Sequence, residues 1–224
     1  MSIWTSKVKT PFGAATVFAA SLLLLTGCET GPVVTSGHGA AELARLAPSK
    51  VEVTDPGLVI AGPKGYCVDP SASRNGEHAA FVLLGSCAAI AGTDRAPEPK
   101  TRAVLTATVN DNSDGYSVAQ TLPVLDRYFR SEDGRKTLSR DRRAETVQVL
   151  DTQRQGKAFF VHAKDVSQSL APELSDDSWR AFFDVEGKLV SATVAGTKQQ
   201  PITESESLRM LKSFVQRINR ENRS

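Results

Sequence analysis

Histidine and cysteine are scarce in this chain, three of each in 224 residues. No two of the histidines (His38, His78 and His162) stand at a metal-ligand spacing. No GxSxG, HExxH, GxGxxG or Walker A pattern occurs either. Nothing in the sequence therefore marks an enzyme, a metal site or a cofactor, and none is expected. Also missing is any apolar run near the roughly 20 residues that a membrane-spanning helix needs. A charge excess is lacking too, since 27 Lys and Arg face 25 Asp and Glu.

The strongest positive signal lies at the start. Lys7 and Lys9 form a short cationic region, and Phe12 to Leu25 forms an apolar run of secretory length. The run ends in Leu25-Thr26-Gly27-Cys28, the pattern of a lipobox. Small residues there let an extended backbone enter a peptidase groove, and the thiol is the nucleophile that takes up diacylglycerol. Residues 1–27 are thus expected to be a lipoprotein signal peptide, cut between Gly27 and Cys28, with Cys28 lipidated and bearing palmitate. Cleavage removes Lys7, Lys9 and no acid, which leaves 25 cations against 25 anions. A neutral mature chain has no basic footprint for nucleic acid. The expected partners are the membrane, through the Cys28 anchor, and an unidentified envelope protein or cell-wall component. Glu29 follows the anchor where aspartate usually signals inner-membrane retention, so the outer membrane's inner leaflet is favoured.

With Cys28 acylated, Cys67 and Cys87 remain in an oxidising compartment, where a disulfide is the default. A redox or metal-binding pair is the alternative, but the spacing is not CxxC. Leu58 to Ile60 and Gly65 to Val68 read as one extended arm, and Ala80 to Leu84 as a second. The turn-rich Asp69-Pro70-Ser71 and Arg74-Asn75-Gly76 lie between them.

Residues 28–56 read as the acylated N-terminus and a flexible tether, with one or two helical turns over Ala40 to Leu46 before Pro48. Residues 57–224 suit a single globular domain. Within it Arg102 to Val109 is strand-like. Thr121 to Arg130 reads as a helix with Leu122, Leu125, Tyr128 and Phe129 on one face, interrupted at Gly134. Two hairpins follow: Thr146 to Leu150 with Lys157 to Ala163, and Trp179 to Val185 with Lys188 to Val194. Trp179, Ala181, Phe183 and Val185 alternate with polar or outward positions, the period of a strand with one buried face. The last helix carries a capping box, Thr203 and Glu206, and the stripe Leu208, Leu211, Phe214, Val215, Ile218. Arg217, Arg220 and Arg223 suit the negative end of its macrodipole. The expected fold is α+β, a mainly antiparallel sheet with helices packed on it.

This order of elements resembles the Mog1/PsbP-like group, α/β/α sandwiches that include small bacterial lipoproteins. Gly65 to Pro70, Ala80 to Cys87 and Trp179 to Asp184 are also similar to uncharacterised lipoproteins of alphaproteobacteria. The resemblance implies binding or assembly roles and transfers no catalytic residue.

Among polar candidates, His78 sits in the cystine loop, His162 on a strand, and His38 between glycines in the tether. Asp111 and Asp114 superficially resemble a calcium loop, but Leu122 stands where such a loop needs glutamate. Arg135 to Arg143 is the most basic stretch, interleaved with acids and read as a solvated loop. The leading expectation is a non-enzymatic, lipid-anchored, periplasm-facing binding or assembly protein. An envelope hydrolase based on His78 or His162, requiring a cleft around that histidine, is one alternative. A small-molecule carrier, requiring an apolar cavity between sheet and helix, is the other.

Overall fold

The computed structural model describes residues 37–54, 57–112, 115–167 and 172–223. The expected signal peptide, residues 1–27, and Cys28 lie outside the described residues. Helix α1 (Gly37–Leu46) leads into a two-stranded sheet of β1 (Lys50–Val53) and β2 (Leu58–Ala61). Next come β3 (Tyr66–Val68), the short β4 (Arg74–Asn75), β5 (Ala79–Ser86), α2 (Cys87–Ala91) and β6 (Val104–Asp111). Helices α3 (Val118–Arg130) and α4 (Glu132–Leu138) precede a meander of β7 (Val147–Gln155), β8 (Ala158–Asp165), β9 (Leu174–Val185) and β10 (Lys188–Thr197). Helix α5 (Glu204–Glu221) closes the described chain.

The main sheet has eight strands in the order β3-β5-β6-β10-β9-β8-β7, with β4 beside β5, and each pairing is antiparallel. The α+β expectation holds. The last strand in sequence, β10, is central, lying between β6 and β9.

Strand alternation sorts the side chains onto two faces. Val82, Leu105, Ala107, Val190, Ala192, Val194, Trp179 and Phe183 point to one face, where Leu211, Phe214 and Ile218 of α5 and Leu58 and Ile60 of β2 meet them. Phe159, Val161, Val147 and Phe182 point to the other, beneath Val118, Leu122, Leu125 and Phe129 of α3 and Leu138 of α4. Helices thus lie on both faces. Trp179 and Phe183 are core residues, as the two-residue period implies. The β9–β10 turn places Glu186 (φ 48°) and Gly187 (φ 74°) in the left-handed region, which matches the twist of a two-residue hairpin.

Several expectations need correction. The tether does not run to residue 56, because residues 37–54 belong to the domain. Leu43 and Ala47 pack on the Cys67–Cys87 pair, Val68 N–H donates to the Pro48 carbonyl at 2.8 Å, and β1 pairs with β2. Four-residue β1 has too little pattern to announce itself. The single arm over 58–68 is two strands in two sheets, split by a turn at Gly62–Gly65. Helix α3 begins at Val118, three residues before the expected start, held by a Ser117–Gln120 capping box. Pro123 therefore lies inside the helix rather than near its start. Tyr128, expected on the buried face, is 41% exposed. Gly134 does not interrupt helical structure but lies within α4. A Cβ there would come 1.9 Å from the Tyr128 carbonyl oxygen, so only glycine lets α4 turn so closely off α3.

Candidate functional site

Strands β3 and β5 pair with Cys67 opposite Gly85, and Cys87 is the first residue of α2. That register brings the two sulfurs into a disulfide, as the cysteine count implied. The disulfide forms part of the wall of an open cleft of about 590 Å³, bounded by α1, the Gly62–Gly65 turn and α5. A volume of this size is ordinary for a ligand site. A second cleft of about 660 Å³ adjoins it, and Pro63, Lys64, Tyr66 and Ser213 are common to both.

The turn that presents Lys64 is set by its glycines. Gly65 has φ +89°, and a Cβ on it would meet the Pro99 nitrogen at 2.6 Å. The Tyr66 N–H donates to the Pro63 carbonyl at 3.0 Å, and the Cys87 N–H donates to the Gly65 carbonyl at 2.9 Å. On the opposite wall, Ser213, Arg217 and Arg220 recur at intervals of four and three, one stripe of α5 beside the buried one. Asn222 at the helix end fixes that stripe. Its side-chain oxygen accepts from the Val59 N–H at 2.8 Å, and its amide donates to the Val59 carbonyl at 2.8 Å.

The charged side chains lining the first cleft are Lys64, Arg217 and Arg220, all cations. Arg217 pairs with Glu221 at 2.9 Å, and Glu221 also meets Lys50 at 3.1 Å. The Lys50 contact is foremost in holding the Glu221 carboxyl below its ordinary range. Lys64 and Arg220 have no carboxylate within salt-bridge distance among the described residues. The second cleft adds Lys100 and Arg209, with Glu98 and Glu206. Both acids are engaged: Glu98 with Arg102 at 3.4 Å, and Glu206 in the Thr203 capping box. The Thr203 hydroxyl depresses the Glu206 carboxyl.

Tyr66 stands between the two clefts, 3% exposed, and its hydroxyl donates to the Thr101 carbonyl at 2.6 Å. Burial pushes its pKa from 10.0 up to about 12. A raised acid pKa means that the folded state holds its proton longer than the unfolded chain does. The stabilisation is complete below pH 10 and is lost as pH rises through about 12. Tyr66→Phe should therefore flatten the alkaline fall in stability over that window; unfolding curves of equal steepness for both proteins would contradict it.

The sequence candidates fall elsewhere. His78 Nδ1 is 2.8 Å from an Asp111 oxygen, and Lys188 is 2.8 Å from the other. Asp111, held low first by Lys188 and then by His78, is committed to that trio, and Asp114 lies outside the described residues. His162 is 4% exposed, with Nε2 at 2.5 Å from Asp177 and Nδ1 at 3.6 Å from Glu204, and its ring stacks on Trp179. Both of its ring nitrogens face carboxylates. Neither histidine lines either of these two clefts. The side chain of His38 lies outside the described residues, though its backbone is in α1. No group of three or more His, Cys, Asp or Glu that could hold a metal ion occurs among the described residues.

The basic stretch expected as a solvated loop forms α4 and a turn whose cations are consumed internally. Arg135 donates to the Arg130 and Ala144 carbonyls, Arg140 to the Ser175 carbonyl, and Arg143 pairs with Asp141 at 2.9 Å. The Ser139 hydroxyl leads in holding Asp141 down to about 2. Sequence reasoning missed Lys64 and took Arg217 and Arg220 for macrodipole partners. The available signal was the lack of acids near Lys64 in a chain otherwise rich in alternating charge.

Comparisons with known families and with curated proteins find no match. Among solved structures, the extracellular domain of PknH from Mycobacterium tuberculosis is similar at 13% identity and a TM-score of 0.32, covering 81% of this chain and 91% of that one.

Proposed function

We propose that this protein is a lipid-anchored, periplasm-facing envelope lipoprotein that binds another envelope component through the cleft beside α1, without catalysing a reaction. The observation that carries the reading is the cleft itself: a cation-lined opening whose lip is the first described helix. The lipobox supplies the address. From Cys28 to Gly37 the chain advances nine residues, a reach of about 30 Å when fully extended. A domain on so short a leash keeps α1 and the cleft near the membrane surface. A multiply acylated cysteine holds it there, since each buried methylene contributes about 0.8 kcal/mol.

The anchor is tested by growing cells with labelled palmitate. The wild-type chain should carry label and sediment with membranes, whereas Cys28→Ser should carry none and keep its signal segment. Equal labelling of the two proteins would sink the assignment. The binding role is tested with a photo-crosslinking side chain at Ser213, which is exposed and borders both clefts. Ser213 should capture an envelope component that the same probe at exposed Arg127, on α3, does not; identical capture at both sites removes the cleft from the reading.

A further inference from the structure

We infer that the cleft between the Gly62–Gly65 turn and α5 is a site for the phosphodiester headgroup of an anionic phospholipid. This names a ligand for the binding role proposed above and rests on that reading. The charge argument is local. The chain that follows residue 27 is formally neutral, 25 cations to 25 anions, yet the charged groups lining the first cleft are Lys64, Arg217 and Arg220. Clustering of one sign costs self-repulsion, which Glu221 relieves at Arg217 and which an anion received by the cleft would relieve at Lys64 and Arg220.

The donor types fit phosphate. A guanidinium presents paired N–H groups that match two phosphate oxygens, and an ammonium adds a compact charge. Arg217 and Arg220 are presented from one helix face, and Lys64 from the turn across the cleft. Arg217 is already oriented by Glu221, whereas Lys64 and Arg220 make no salt bridge among the described residues, Arg220 acting on Glu221 only at longer range. The C-terminal end of α5 repels an anion with about half an elementary charge, which Lys64 and Arg220 outweigh even with Arg217 offset by Glu221.

The apolar part of the lining separates a lipid from a bare anion. Leu43, Ala47, Pro63 and Pro97 supply carbon surface around the cations, suited to a glycerol backbone and the first acyl carbons but of no use to inorganic phosphate. Two of these four residues flank or lie in α1, the element nearest in sequence to the anchor. A headgroup bound there would fix which side of the domain faces the bilayer, something an anchor at a single residue does not do alone.

The test uses the mature chain purified in nonionic detergent and titrated calorimetrically with three probes: dihexanoyl phosphatidylglycerol, dihexanoyl phosphatidylcholine and inorganic phosphate. Phosphatidylglycerol should bind measurably and the zwitterionic lipid far more weakly. Lys64→Gln/Arg220→Gln, which breaks no salt bridge among the described residues, should lower that affinity at least about tenfold, since each charge-assisted hydrogen bond lost is worth a sizeable share of a decade. Arg127→Gln/Lys164→Gln removes the same charge elsewhere and should leave binding unchanged. Inorganic phosphate binding as tightly as the lipid overturns the headgroup assignment. So does equal weakening by the control pair, or no binding of any probe. Palmitate labelling is independent of these titrations, so an anchored protein with no headgroup affinity refutes this inference alone.

Discussion

Trp179→Ala is expected to lower the unfolding free energy by about 3–5 kcal/mol, the usual loss for emptying an aromatic site in a core. Trp179 has no solvent exposure and lies on β9 between His162 of β8 and Val194 of β10. Its ring stacks on His162 with centroids 4.8 Å apart. No neighbour can collapse into the space, because strand pairing fixes both flanks and α5 roofs the sheet. A domain of this size has about 5–15 kcal/mol in total, so the variant forfeits a large fraction. The melting temperature should fall by about 6–20 °C, at about 2–4 °C per kcal/mol. Trp179→Phe is the informative partner. The indole Nε1 has no hydrogen-bond partner among the described residues, so phenylalanine loses volume but no bond and should cost much less. Equal losses for the two variants, in urea or heat, would show that the site relaxes freely and that the core assignment is wrong.

Removing the disulfide ranks second. Cys67 and Cys87 close a loop with a sequence separation of 20, worth about 3 kcal/mol through the entropy withheld from the unfolded chain. Cys67→Ala/Cys87→Ala should therefore lower the melting temperature by about 6–12 °C. The folded state loses little packing, because both positions sit among Ala47, Ala88 and Ala96. Reduction of the wild-type chain should reproduce the same shift. If reduction changes stability by less than about 0.5 kcal/mol, the loop entropy was not being withheld.

How much of this could be read from the residues follows from the reach of each signal. Trp179 to Val185 and the Thr203–Glu206 box are local patterns of one element, and both read correctly. The disulfide followed from counting, because the expected lipidation of Cys28 leaves two cysteines. The Ser117–Gln120 box is equally local, but the expected helix start, Thr121, fell three residues too late. β1 is four residues long and becomes a strand only by pairing with β2, which no window within 50–53 records. The cleft was the least legible feature. Lys64 and Arg217 are separated by most of the domain and line one cleft because α5 packs on the sheet and Asn222 ties its end to β2. No spacing rule covers a site assembled that way.

The central place of β10 in the sheet has a consequence for how the protein is made. β6 is available early, and β7, β8 and β9 can zip together in order as the chain is delivered. Until residues 188–197 arrive, however, β6 and β9 each present an unpaired edge, with Leu105, Val109 and Phe183 uncovered. Such edges are templates for joining other chains, and pairings this distant in sequence form slowly. A chain that crosses a membrane N-terminus first would spend its passage as two unfinished half-sheets. Its need for a holding chaperone should then end abruptly, when the last strand slides between them.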